Sequence, residues 1–156
     1  MTTESTNGLV TDMAGLRGSA GRHLGYTEWT EMTQEQVDQF ADVTGDHQFI
    51  HVDLERAKAS PYGGTIAHGY LSLSLLATVT QQLLTVSDAK MGVNYGLDRV
   101  RFPAPLPVGA QWRGGAEIVE VSEVQGGLQG KLLATIEVQG SEKPAVVAEC
   151  LVRVYG

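Results

Sequence analysis

The sequence predicts an α+β domain, an antiparallel curved sheet wrapped round one long central helix. Three observations carry this. Helical patterns fill the first half of the chain and strand patterns the second, which is the α+β order. The longest helical segment, from about His68 to Thr85, places Leu71, Leu73, Leu75, Leu76, Ala77, Val79, Leu83 and Leu84 round most of its circumference, so it is expected to be enclosed. The strands that follow are apolar on one face only.

Taken in order, residues 1–20 are polar and rich in Gly and Thr, and read as a flexible leader before a single domain over 21–156. A short strand is expected around Tyr26–Met32. Thr33-Gln34-Glu35-Gln36 then has the form of a capping box, with Thr33 as the cap. Val37, Phe40, Ala41 and Val43 continue a helix that Gly45 ends. Asp53 can cap a second short helix through Ala59, stopped by Pro61. Beyond the long helix, Lys90–Phe102 is a candidate strand. The prolines of Pro103-Ala104-Pro105-Leu106-Pro107 form an extended connector, since proline cannot serve a central ladder. Trp112–Val124 and Leu128–Gln139 flank Gly126-Gly127, a hairpin signal. Leu132, Ala134, Ile136 and Val138 alternate with more polar positions, and Val146, Ala148, Cys150, Val152 and Val154 make another period-two face.

Composition narrows the function. The 156 residues carry a net charge of −7 and show no basic run, so nucleic-acid binding is not expected. No segment is long and apolar enough to span a bilayer, and the N-terminus lacks a basic start followed by an apolar stretch, so a cytoplasmic protein without membrane association is expected. The lone Cys150 cannot form an internal disulfide and reads as a buried, inert thiol.

The chemistry is concentrated in Phe40–Ser60, FADVTGDHQFIHVDLERAKAS. Asp46 and His51 lie five positions apart, about 140° round a helix, and can converge only if the backbone turns between them. Gly45 begins such a turn, and Phe49 and Ile50 can anchor it. A carboxylate and an imidazole side by side are a standard pair for moving protons. Further on, Ala67-His68-Gly69-Tyr70 opens the long helix. Its first amides have no internal partner, and Gly69 lets a carbonyl oxygen approach its N–H, as an oxyanion requires. His68 reads as a structural hydrogen-bonder at the helix start. Arg99 and Arg101 share a strand face and can bind phosphate; Asn94 and Tyr95 are candidate substrate contacts. A metal held by His47, His51 and nearby Asp46 or Asp53 would need a regular helix, which Gly45 argues against; no metal and no cofactor are expected.

Thr44-Gly45-Asp46-His47-Gln48-Phe49-Ile50-His51, then Asp53 and, after a gap, Ala67-His68-Gly69-Tyr70, resembles the R-specific enoyl-CoA hydratase family, the MaoC-like dehydratases. The family pattern of Gly-Asp, then Asn-Pro, then an aliphatic residue and His is matched at Gly45-Asp46 and Ile50-His51, with Gln48-Phe49 in place of Asn-Pro. The likeness spans roughly residues 25–156 and includes Val100–Gly109. It implies the hotdog fold. It also implies that Asp46 and His51 activate a water for attack on the β-carbon of a trans-2-enoyl thioester, giving the (R)-3-hydroxyacyl product, with the Gly69 amide holding the thioester oxygen. The carrier would be coenzyme A or acyl carrier protein. A serine frequent in the family about two turns into the long helix is replaced here by Ala77, with Ser72 and Ser74 earlier. A homodimer is implied too, with Arg99 and Arg101 serving the partner's site; a small sheet with an open edge is usually covered.

Two other functions remain open from sequence. A hotdog thioesterase would hydrolyse the same class of substrate. A binding module that has lost activity is compatible with Gln48-Phe49.

Overall fold

The local signals around Thr33 form as written. In a computed structural model describing residues 8–156, the Thr33 hydroxyl accepts the Gln36 amide and the Gln36 side chain reaches back to the Thr33 amide. This box opens α2 (Gln34–Thr44). Gly45 closes it in the left-handed conformation (φ 79°), which costs glycine nothing. The chain then turns into a one-turn helix, α3 (Phe49–Val52), and a second short helix, α4 (Leu54–Lys58), whose Asp53 cap accepts the Arg56 amide. Next comes α5 (Gly69–Leu83), the longest helix.

The N-terminal expectation needs correction. Residues 1–7 of the expected leader lie outside the described residues, but 8–20 are part of the fold. Leu9–Thr11 forms β1 and Met13–Arg17 forms α1, capped by Asp12. Strand β1 pairs in parallel with β4 (Leu84–Val86), directly after α5. Leu9 and Leu16 are buried in the core, so this segment closes one end of the domain instead of trailing from it.

The main sheet contains β2 (His23–Tyr26), β3 (Thr30–Glu31), β5 (Met91–Arg101), β6 (Gln111–Val124), β7 (Gly127–Val138) and β8 (Val146–Tyr155). Its order is β2-β6-β7-β8-β5, with β3 also on β6, and every pairing in it is antiparallel. The hairpin between β6 and β7 turns through Gln125-Gly126, Val124 pairing with Gly127. Irregular register between Tyr26 and His23, at Ile118–Glu120 and twice along β5 marks bulges, which bend strands and increase twist. The sheet is thus curved and antiparallel against one long helix, the hotdog architecture that the sequence predicts.

The period-two readings hold in the core strands. Leu128, Leu132, Ala134, Ile136 and Val138 of β7 and Val146, Ala148, Cys150 and Val154 of β8 are buried. Leu71, Leu76, Val79 and Leu83 of α5 join the same core with Ile118 of β6. Each fully buried aliphatic side chain of this kind contributes about 1.5–3 kcal/mol. The enclosure of α5 is narrower than its composition suggests: Tyr70, Ser74, Thr78, Gln81 and Gln82 form an exposed stripe at helical spacing. Strand β5 is the outlier. Among the described residues it pairs only with β8, and ten of its eleven residues are exposed. Among the described residues no helix is long and apolar enough to cross a membrane.

Candidate active site

The turn after Gly45 does what the five-residue spacing requires. Asp46 is exposed at the end of α2, and α3 carries His51 inward until it is 6% exposed. The Asp46 carboxylate folds back to accept the Gln48 amide at 3.3 Å, an Asx-type turn. The result is a carboxylate and an imidazole beside each other. A carboxylate oxygen of Asp46, a ring nitrogen of His51 and one of His68 lie within 4.8 Å of one another.

The surrounding chain sets the chemical state of His51. Its Nδ1 is 2.7 Å from the carbonyl oxygen of Ile66. A carbonyl only accepts, so Nδ1 carries the proton and Nε2 is left with its lone pair in the neutral ring. Burial pushes the His51 pKa down. The Ile66 carbonyl and the Asp46 charge pull it back up, and His68 adds to the lowering. The net direction is down, which favours the neutral ring.

Three further contacts fix the backbone here. The Gln34 side-chain amide donates to the His51 carbonyl at 2.8 Å and to Asp38 at 2.9 Å, while its oxygen accepts from Thr65 at 2.6 Å. The Ile66 amide donates to the Ile50 carbonyl at 3.0 Å. His68 Nε2 is 2.9 Å from the Asp46 carbonyl oxygen. Sequence reasoning missed Gln34 and Thr65. The capping box accounted for the first turn of α2 without a further task for Gln34, and no local pattern links it to Thr65, 31 positions away.

Gly69 begins α5 with no side-chain cap on its helix end. A Cβ there would lie 3.3 Å from the Phe102 ring, so glycine lets the aromatic ring pack closely against the start of α5. His51, Gly69 and Ser72 border one open cavity of about 460 Å³ with Tyr62, Phe102 and Pro103. Tyr62 and Phe102 were not singled out from sequence. Tyr62 stands in a Gly-rich loop and Phe102 at a strand end, positions that carry no chemistry by themselves.

The other candidates lie elsewhere. Asn94 borders a second, apolar cavity of about 250 Å³ between α5, β5 and β8, together with Leu73, Ala77 and Leu97. Tyr95 does not line it; its ring is covered by the Arg153 guanidinium, 3.4 Å above the centroid. Arg99 and Arg101 are exposed on β5, and Arg101 donates to its own Val100 carbonyl. Within one chain neither reaches the His51 cavity. His47 pairs with Asp42 at 2.9 Å on the surface, which raises its pKa, and takes no part in the cluster. The only group of three potential metal ligands among the described residues is Asp46, His51 and His68. The His51 and His68 rings are stacked, with centroids 3.8 Å apart and planes inclined by 24°. Their lone pairs therefore lie in two nearly parallel planes set apart by the stack. Cys150 is buried, and desolvation raises its thiol pKa to about 11, as an inert thiol requires.

Comparison with known proteins places this geometry. The MaoC like domain matches residues 16–139. The 3-hydroxyacyl-thioester dehydratase Z of Mycobacterium tuberculosis is 50% identical over 142 residues, covering 90% of this chain and 94% of that protein. Nodulation protein N of Rhizobium leguminosarum bv. viciae is 40% identical over 149 residues, covering 87% and 86%. Among solved structures, the (R)-hydratase from A. caviae involved in PHA biosynthesis superposes with a TM-score of 0.71 at 25% identity, covering 85% of this chain and 94% of that one.

Proposed function

The chain belongs to the MaoC-like domain family, and from that premise we propose that it is an (R)-specific enoyl thioester hydratase. At the coarser level it is a hydro-lyase that hydrates and dehydrates acyl thioesters. The finer reading is that trans-2-enoyl-CoA becomes (R)-3-hydroxyacyl-CoA, reversibly. One observation carries it: an Asp46 carboxylate oxygen and a His51 ring nitrogen meet within 4.8 Å, with His51 on a cavity that also reaches Gly69.

The residues suit each step. A water between Asp46 and the bare Nε2 of His51 gives up a proton to the pair as its oxygen bonds to the β-carbon. The π electrons move to the α-carbon and thioester oxygen, where the Gly69 N–H stabilises the developing enolate. The α-carbon then takes the proton back from the pair, so one water is added with no other reactant. The burial that lowers the His51 pKa keeps the ring unprotonated and ready to accept. Phe102 and the prolines after it give the cavity an apolar wall, which strengthens electrostatic interactions inside it.

The substrate partner is an acyl thioester of coenzyme A or acyl carrier protein, in the cytoplasm, where a lone reduced cysteine such as Cys150 is expected. The assembly proposed is a homodimer through β5, with Arg99 and Arg101 passing to the partner's site and Asn94 and Tyr95 close to the acyl group. The support is the strand itself: one edge without a pairing partner among the described residues, and Met91, Tyr95 and Leu97 exposed. Incubation with a chain-length series of trans-2-enoyl-CoA and chiral analysis of the product tests the reading. The (R)-3-hydroxyacyl thioester is expected; the (S) product, or none with any chain length, refutes it.

A further inference from the structure

We propose that His68 is a positioning residue for the acid–base pair, binding the Asp46 backbone, stacking on the His51 ring and leading directly into the Gly69 amide. The inference deepens the hydratase reading and rests on it for the meaning of the pair, though not for the geometry.

Four contacts converge on this residue. Its Nε2 is 2.9 Å from the Asp46 carbonyl oxygen, so Nε2 holds the hydrogen and donates it. This bond ties the turn bearing the carboxylate to the start of α5, 22 positions away. Its ring stacks on His51 at 3.8 Å, and Phe40 packs against the same ring with centroids 4.9 Å apart. Its own carbonyl accepts the Ser72 amide at 3.0 Å, fixing the first turn that presents Gly69. One side chain thus holds the backbone of one member of the pair and the ring of the other.

The remaining nitrogen points to the same role. His68 is 3% exposed, and its Nδ1 has no hydrogen-bond partner among the described residues. A buried polar atom without a partner calls for an explanation. A protonated ring would set a cation face to face with His51 and work against proton transfer to it. The titratable groups facing His51 are Asp46 from its own segment and His68 from the start of α5. From α2 comes the neutral Gln34 amide, itself bound to the Asp38 carboxylate.

Three variants separate the contacts. His68→Gln keeps a donor for the Asp46 carbonyl and removes the ring. His68→Phe keeps a ring and removes the donor. His68→Ala removes both. With trans-2-enoyl-CoA, His68→Ala should lose about 10–100-fold in kcat, the scale of a misplaced catalytic group. KM should change by no more than about twofold, because substrate contacts are retained. His68→Gln should recover part of kcat and His68→Phe none. A second measurement does not depend on turnover: nitrogen NMR of the His51 side chain in folded protein. In wild type it should report the Nδ1–H tautomer, and in His68→Gln its titration midpoint should move to higher pH. An unchanged His51 tautomer and midpoint in all three folded variants overturns the positioning role, whatever reaction the protein catalyses. Wild-type protein that hydrates no enoyl thioester, yet shows the expected His51 shift, refutes the hydratase reading and leaves the positioning role standing.

Discussion

The segment from Gln34 to Gly69 and the strand β5 are opposites. In the former, polar groups are linked to one another along the segment: Gln34 to His51 and Thr65, His51 to Ile66, His68 to Asp46. In the latter, an eleven-residue strand is exposed on both faces, with apolar Met91, Tyr95 and Leu97 open to solvent. The Gln34–Gly69 segment already brings the proposed acid–base pair together within a single chain. Strand β5 is incomplete on its own, because burying apolar area is the main favourable term in folding and association. The difference teaches that the proposed chemistry and the proposed assembly rest on separate parts of this molecule, so that each can be broken without the other.

The largest effect should come from the Gln34–Gly69 segment. Asp46→Asn and His51→Ala should each lower kcat by about 10²–10⁴-fold, as expected for a general acid–base group, with thermal unfolding little changed for the exposed Asp46. Full activity in either variant would remove that residue from the chemistry. Next is the incomplete region. Leu97→Asp puts a charge on the open strand and should convert a dimer to monomers by light scattering at micromolar protein, while the Asp46–His51 geometry survives in each chain. A wild-type monomer under those conditions would end the assembly proposal.

Smaller effects sharpen the contrast. Thr33→Ala removes the reciprocal cap of α2 and should cost about 1 kcal/mol in urea unfolding, with the dimer unaffected. The pH dependence of stability follows from His51. Its folded pKa lies below the ordinary imidazole value of 6.5, so the unfolded chain binds its proton first as pH falls. Its contribution is full above pH 6.5 and is lost as pH drops from there through the folded value. His51→Gln should flatten that part of the unfolding profile. An equal slope in both proteins would show that His51 is not held neutral by the fold.

How legible all this was in the sequence follows from the range of each interaction. The Thr33 box, the Gly45 stop, the Asp53 cap and the alternation of β7 depend on residues within a few positions of one another, and all were readable. Asp46 and His51 were readable as candidates for the same reason. The stack of His51 on His68 was not, since it joins two segments through tertiary packing alone. Leu9 and Leu16 stand in a polar, Gly-rich stretch, and only the parallel partner Leu84–Val86 and the core reveal what they bury against. Tyr70, Ser74, Thr78 and Gln81 do stand at helical spacing, but the leucines around them dominated the pattern. The bulges of β5 shift register at Asn94–Gly96 and Leu97–Arg99, which no period-two count reveals, and the Tyr95 ring ends beneath Arg153.

The most direct test of the central claim follows enoyl absorbance and free thiol together in one reaction of the wild-type protein with a trans-2-enoyl-CoA. Hydration by Asp46 and His51 predicts that absorbance falls while no thiol appears. Thiol released without any hydroxyacyl product would contradict it and make the protein a thioesterase.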